Sequence, residues 1–409
     1  VMRTVQSISG RGLGGSSTVN GHIYTRTALP FSKARTVEAY AEIENDLHFK
    51  SSDGGAGTQS EAERQILSIF AAANVPYVAH NLTTPPVGIG PVLRIGGCAE
   101  APGPSSAYFC AVARRNASAV ASHIRVTPSS HAARVLLEDG RAVAVELTSG
   151  DVVRARKAVV VAAGALQTPL LLARSGVGHA ADLRRIGVLP KVESPRLGFG
   201  LQDHPYLPLN IDTGIPCDEA ALHRELFGFY DALPASKSSS EILDAHVAVE
   251  LQLSPRCRVS AARVGGGATL SYKVYIILLN SRTAGRVVSR SADPRSPPLM
   301  LFDPFEGQGT DAFALIDHAR QLYHLLSRGL SERGFAATFD PPESVIDDQV
   351  LSAQFCSQHL GLWMHPTGTA RLGDVVDERM AVKGAKALYI ADGSVLPNSA
   401  AGHPDAPIR

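Results

Sequence analysis

Ala158-Val-Val-Val-Ala-Ala-Gly164-Ala-Leu-Gln-Thr-Pro-Leu-Leu-Leu-Ala-Arg-Ser-Gly176 is the stretch that decides the fold. An apolar run rich in valine reads as a buried strand, and it ends on a glycine. The leucines that follow suit a helix from Thr168 to Ser175, with Gly176 as its stop. Strand, glycine and helix in that order is the grammar of a nucleotide-binding α/β layer. Upstream, Arg134-Val-Leu-Leu137 and Ala142-Val-Ala-Val-Glu-Leu147 flank Glu138-Asp139-Gly140 and predict a β-hairpin, which Val152 to Val161 continues.

Further out the texture is mixed. Glu61 to Ala73 has helical spacing, with Ile66, Leu67, Ile69 and Phe70 available for one face. Pro85 to Pro104 is rich in Gly and Pro and reads as loop. Residues Asp212 to Ser260 resist assignment. Ser271 to Leu279 and Gly285 to Ser291 read as strands, Thr310 to Leu330 as a long helix, and Lys386 to Ile390 as a short strand leading into Ala391-Asp392-Gly393-Ser394.

The bulk properties exclude several classes. At 409 residues the chain can bury a large core. Lys plus Arg number 39 against 38 Asp plus Glu, so no basic excess marks a nucleic-acid binder. No apolar run reaches the roughly 18 residues that cross a bilayer. Cys98, Cys110, Cys217, Cys257 and Cys356 show no CxxC spacing, which argues against zinc or a disulfide framework and for free, mostly buried thiols. Two N-x-[ST] sequons begin at Asn81 and Asn116 and matter only in a secreted protein.

Gly10-Arg-Gly-Leu-Gly-Gly15 satisfies G-x-G-x-x-G but lacks its context. A dinucleotide fingerprint needs a strand before it, a helix after it and an acidic residue about 20 positions on. Ser16-Ser-Thr-Val-Asn-Gly21 is a poor helix start, and the nearest acidic residue is Glu38. The glycines instead suit close approach of backbone N–H groups to an anionic or planar ligand.

Three regions together resemble the glucose-methanol-choline family of flavoprotein oxidoreductases. Gly10 to Arg26 resembles its first signature and Gly164 to Gly178 its second, with Leu201-Gln-Asp-His-Pro205 following. His365-Pro-Thr-Gly-Thr-Ala-Arg-Leu-Gly373, Ala391-Asp-Gly-Ser-Val-Leu-Pro397 and Gly402-His-Pro-Asp-Ala-Pro407 form the third. The resemblance implies a mixed α/β fold. Its Rossmann-like FAD-binding domain is assembled from residues 1–30, 105–205 and 360–409. Its substrate domain, on an antiparallel sheet, comes mainly from 31–104 and 206–359. Gly14, Gly15, Ser16 and Asn20 would lie along pyrophosphate and flavin, Asp392 with Gly393 near the ribityl–phosphate region, and Ala163-Gly164 near the adenosine half. Ala132 would approach adenine, and Pro404 also counts among the FAD-contacting positions.

Against the family pattern the chain reads as a fragment. It lacks the βαβ unit with the true fingerprint before Gly10 and a helix after Pro407.

The chemistry implied is oxidation of a small-molecule alcohol by hydride transfer to FAD. His365 matches the family's base, and a histidine's ordinary pKa of about 6.5 suits that work. His403 stands where relatives place a His or Asn that hydrogen-bonds the same oxygen. Hydroxynitrile lyases and light-driven fatty-acid decarboxylases share the resemblance, so those reactions stay open, as does a catalytically silent fragment. The electron acceptor, O2 or another, is also open. His22, His204 and His359 read as structural, as do Asp203 and Asp377, while Trp363 and Met364 suit either a pocket wall or the core.

Overall fold

The computed structural model describes residues 9–10, 14–26, 33–46, 48–51, 59–78, 88–91, 93–96, 125–217, 226–230, 249–259, 268–400, 402–404 and 408. Cys98, Cys110 and both sequons lie outside them. The fold is mixed α/β, as the sequence implies, and among the described residues two large apolar cores stand beside smaller clusters.

The larger core sits on one face of an antiparallel sheet. Strands Pro205–Pro216, Ala268–Leu278, Val249–Val259, Leu226–Tyr230 and Gly88–Gly90 lie side by side in that order, and Thr338–Asp340 borders the first. Leu207, Leu209, Ile211, Leu251, Leu253, Tyr272, Val274 and Ile276 alternate along three strands and all face inward. Against them lies the helix Glu306–Glu332. Its buried residues Ala312, Leu315, Ile316, Ala319, Leu322, Tyr323, Leu326 and Leu330 recur every three or four positions, which is the stripe a helix needs to cover a sheet. The helices Glu61–Ala72 and Gln349–His359 complete the layer. The period of two leaves Tyr206, Glu250, Gln252, Tyr275 and Ile277 on the opposite face, and registers Tyr206↔Ile277, Glu250↔Ile277 and Gln252↔Tyr275 align them.

The smaller core belongs to the α/β part. The hairpin Ala132–Glu138 with Arg141–Leu147 turns at Asp139 and Gly140, both at positive φ, as a two-residue hairpin requires. Val159–Val161 pairs in parallel with Leu388–Ile390, so the end of the chain returns beside the middle. The helix after Gly164 spans Gly164–Arg174 and starts earlier than its sequence suggests. Pro169 lies inside it and cannot donate to the Ala165 carbonyl. Thr369 Oγ1 donates to that carbonyl instead, at 2.6 Å. A distant hydroxyl therefore repairs the bond that proline removes.

Two expectations are corrected. Pro85 to Pro104 is not all loop, because Gly88–Gly90 and Leu93–Gly96 are strands. A Cβ on Gly90 would lie 1.9 Å from the Val78 carbonyl oxygen, so this glycine marks a close backbone approach at a sheet edge rather than a turn. Cys217 and Cys257 are not free thiols; they form a disulfide with Cα atoms 5.6 Å apart. The strand pairings around Thr269 and Leu270 bring their ends together, which no spacing rule reveals. Cys356 is free and buried, as expected.

The disulfide closes a loop across 40 residues. Replacing both cysteines by serine should lower stability by about 2–4 kcal/mol, read as a lower urea midpoint. An unchanged midpoint would mean that the bridge does not form in the folded protein.

Candidate active site

The site grows from two short segments zipped together. Gln202 and Thr367 exchange backbone hydrogen bonds at 3.1 and 2.9 Å, and Trp363 N–H donates to the His204 carbonyl at 2.8 Å. Asp203, 1% exposed, lies between them. Its Oδ1 accepts the backbone N–H groups of both His204, at 2.7 Å, and His365, at 2.9 Å. To reach that carboxyl the chain turns through Met364 at φ +64. The left-handed region costs a non-glycine residue about 1–2 kcal/mol, which the two hydrogen bonds to Asp203 offset.

Three imidazoles meet here. His365 Nδ1 lies 2.9 Å from His204 Nδ1, with the rings at 87°. His365 also sits edge to face with His403, centroids 5.0 Å apart. His403 is held at both ends. Its backbone N–H donates to Thr25 Oγ1 at 2.9 Å, and its Nε2 lies 2.8 Å from Oε1 of Glu250, which is fully buried. A carboxylate in that position needs a proton on or beside it, so the contact fixes a hydrogen between Nε2 and Oε1. Tyr206, Tyr275 and Trp363 pack edge to face on the same sheet surface, with centroids 4.9 to 5.5 Å apart.

Electrostatics separates these groups. Burial pushes the Asp203 carboxyl up to about 7, against the two backbone donors that favour its charge. Burial pushes His204 down to about 3, helped by the charge of His403. His365, partly open to solvent, is also held well below 6.5, by burial first and then by His403 and His204.

Residues expected to hold a cofactor converge as well. Asp392 Oδ2 accepts from Gly164 N–H at 3.0 Å and from Thr168 Oγ1 at 2.5 Å, while Oδ1 caps Ser394 N–H. This joins the Ala163-Gly164 turn to Asp392-Gly393. Gly368 N–H donates to the Gly393 carbonyl and Ala370 N–H to that of Ser394, so the same strip continues into His365. Gly14 and Gly15 turn at φ +92 and +56 into a short 3-10 helix, Gly15–Thr18, rather than the α-helix of a dinucleotide fingerprint. Asn20 Oδ1 accepts from His22 N–H, and the extended chain then carries Thr25 to His403. Gly10 N–H donates to Ser16 Oγ. A Cβ at Gly15 or Gly164 would meet nothing within 4 Å, so both backbones border open space. Ala132 opens a strand that packs on the helix beginning at Gly164, and Pro404 is buried beside His403.

Sequence reading missed three participants. Glu250 lies in Val249-Glu-Leu-Gln-Leu253, where strict alternation predicts a polar outer face; that face is instead covered by the site. The alternation could have flagged Glu250 once a partner for the face was known. His204 and Asp203, read as structural, touch His365 directly. His22 and His359 stay structural, the first against the Ser17 carbonyl and the second stacked on Phe355.

The paired shifts set a pH signature. Folding raises the Asp203 pKa, so its contribution is full below about 3.8 and is lost as pH rises through about 7. Folding lowers that of His204, so its contribution is present above 6.5 and lost as pH falls toward 3. From about 4 to 6.5 the two cancel, because one proton is held in both states. Asp203→Asn removes one side of this balance. Its melting temperature, compared with wild type, should fall further behind at pH 4 than at pH 7; an equal gap at both would mean that Asp203 is charged in the fold.

The chain matches the family model described as GMC oxidoreductase over residues 111–206 and 281–409, together more than half its length. It is 27% identical over 300 residues to an oxygen-dependent choline dehydrogenase of Sinorhizobium fredii, covering 68% of this chain and 54% of that protein. Identity to the Brucella anthropi protein of the same name is also 27%, over 301 residues with the same coverage. The chain spans about half the length of the curated relatives it matches. Among solved structures, a formate oxidase of Aspergillus oryzae superposes with TM-score 0.76 at 18% identity, covering 98% of this chain and 82% of that one. An FAD-dependent oxidoreductase of Chaetomium thermophilum superposes with TM-score 0.75 at 17% identity, covering 99% and 85%. These structures share the fold. With both matched regions meeting at the histidines, the chain belongs to the GMC oxidoreductase family, whose cofactor is FAD.

Proposed function

We propose that this chain carries the site of an FAD-dependent oxidoreductase that oxidises the CH–OH group of a small-molecule alcohol, with His365 as the base. The observation that supports this most is the approach of His365 to His403, with centroids 5.0 Å apart, and the tie of His403 Nε2 to Glu250 at 2.8 Å. Gly14, Gly15, Ser16 and Asn20, the Ala163-Gly164 turn and Asp392-Gly393 would hold FAD, with Ala132 toward adenine and Pro404 beside the flavin. Bound there, FAD supplies the two-electron acceptor that an alcohol lacks in water. The division into an FAD-binding part (residues 1–30, 105–205 and 360–409) and a substrate part (31–104 and 206–359) belongs to the same proposal; the two large apolar cores fall mainly on either side of it, while smaller clusters bridge it.

The side chains then divide the work. His365 Nδ1 is engaged by His204, so Nε2 is the nitrogen that takes the hydroxyl proton. A neutral imidazole is needed for that, and the lowered pKa of His365 keeps it neutral at ordinary pH. His403, its Nε2 tied to Glu250, turns Nδ1 to the alcohol oxygen and supports the negative charge that develops as the proton leaves. The different hydrogen-bond partners of the two rings give one acceptor and one donor. Tyr206, Tyr275 and Trp363 pack together on the sheet face that also carries Glu250, and Phe227 lies edge to face with His403.

Anaerobic mixing of the FAD-loaded chain with ethanol, benzyl alcohol, glucose or choline tests the reading, because one of them should bleach the flavin's visible band. Bleaching by none, beside cyanide release from a cyanohydrin, would replace it with the lyase reaction. With the alcohol that bleaches, His365→Gln should lower kcat by about 10²–10⁴-fold. The acid limb of kcat/KM should fall below pH 6.5, since protonation of His365 removes the base. A limb above 6.5 would assign the base to another group.

A further inference from the structure

We propose that His204 is a positioning residue that fixes the tautomer of His365, holding the proton on Nδ1 and leaving Nε2 bare. This rests on the reading of His365 as the base, and deepens it.

Two Nδ1 atoms 2.9 Å apart can share only one hydrogen while both rings are neutral. Either His365 donates to His204, or the reverse. The first arrangement places the His204 proton on Nε2, which has no hydrogen-bond partner among the described residues, so it is the base reading of His365 that selects it. It leaves His365 Nε2 with a free lone pair. The second would protonate His365 Nε2, and the ring could then accept nothing from an alcohol. Both backbones donate to Asp203 Oδ1, which fixes the two main-chain positions from which the rings meet.

A neutral partner has a consequence of its own. In hydrolases a carboxylate usually orients the catalytic imidazole, and its charge also stabilises the imidazolium. His204 is fully buried and stays uncharged to about pH 3, so it orients His365 without raising its basicity. When Nε2 gains a proton, Nδ1–H is already donated, and no second proton has to move. The nearest carboxyl, Asp203, acts on the backbone of His365 rather than on its ring. The His403–Glu250 pair meets His365 through the His403 ring.

The test is long-range 1H–15N correlation spectroscopy on the chain labelled with 15N-histidine and loaded with FAD, with His365 assigned by its absence from His365→Gln. Nδ1 of His365 should be protonated and Nε2 bare; the opposite pattern overturns the proposal. His204→Asn keeps an oxygen that can accept from Nδ1–H and should retain the pattern. His204→Leu offers no acceptor and should yield an average of both tautomers, whereas an unchanged pattern there would also overturn the proposal. If a variant fails to fold, the wild-type spectrum still decides. Should His365→Gln retain full kcat, the base assignment fails separately, because the tautomer is read without turnover.

Discussion

Everything at this site depends on one buried carboxyl. Asp203 Oδ1 accepts the N–H groups of His204 and His365, residues that lie on different strips of chain. That single atom closes the zipper between Gln202–His204 and Trp363–Thr367, sets the left-handed turn at Met364, and fixes how far His365 stands from His403. Its cost is desolvation, which the protein meets by favouring the neutral acid. Its two backbone hydrogen bonds orient the strips of chain that carry the imidazoles.

Around this hub the three histidines have different environments. His204 is sealed and uncharged, His365 is partly open and neutral, and His403 is paired with a buried glutamate. The antiparallel sheet makes the difference. Its period of two sends leucines and isoleucines toward the long helix and Glu250, Tyr206 and Tyr275 toward the histidines. The α/β part contributes the other wall. Asp392 ties the Gly164 turn to the strip that continues back to His365, so the expected FAD-holding residues and the proton-handling residues share one hydrogen-bonded frame.

Much of this was legible in the sequence, and the exceptions have physical causes. The Asp139-Gly140 hairpin, the long helix expected over 310–330 and found at 306–332, and the strand into Gly164 follow from local pattern, and so does the lack of a helix start after Gly15. The early helix start at Gly164 was hidden because Thr369, 204 positions from the Ala165 carbonyl, supplies the missing donor. Gly88–Gly90 was read as loop because its glycines signal flexibility until a neighbouring backbone is seen against them. Likewise the Cys217–Cys257 pairing depends on strand register, and Glu250 reads as solvent-facing until the layer that covers it is known. His365 and His403 were legible from their motifs; His204 was not, because its role lies in one side-chain contact across 161 residues.

The central claim is that one frame holds both the cofactor and the proton-handling histidines. A crystal structure of the chain loaded with FAD tests it most directly. The account expects the flavin ring against His365 and His403, with Gly15 and Gly164 lining the dinucleotide and Asp203 still bonded to both backbones. A flavin seated away from the two imidazoles, with the Asp203 contacts intact, would contradict it.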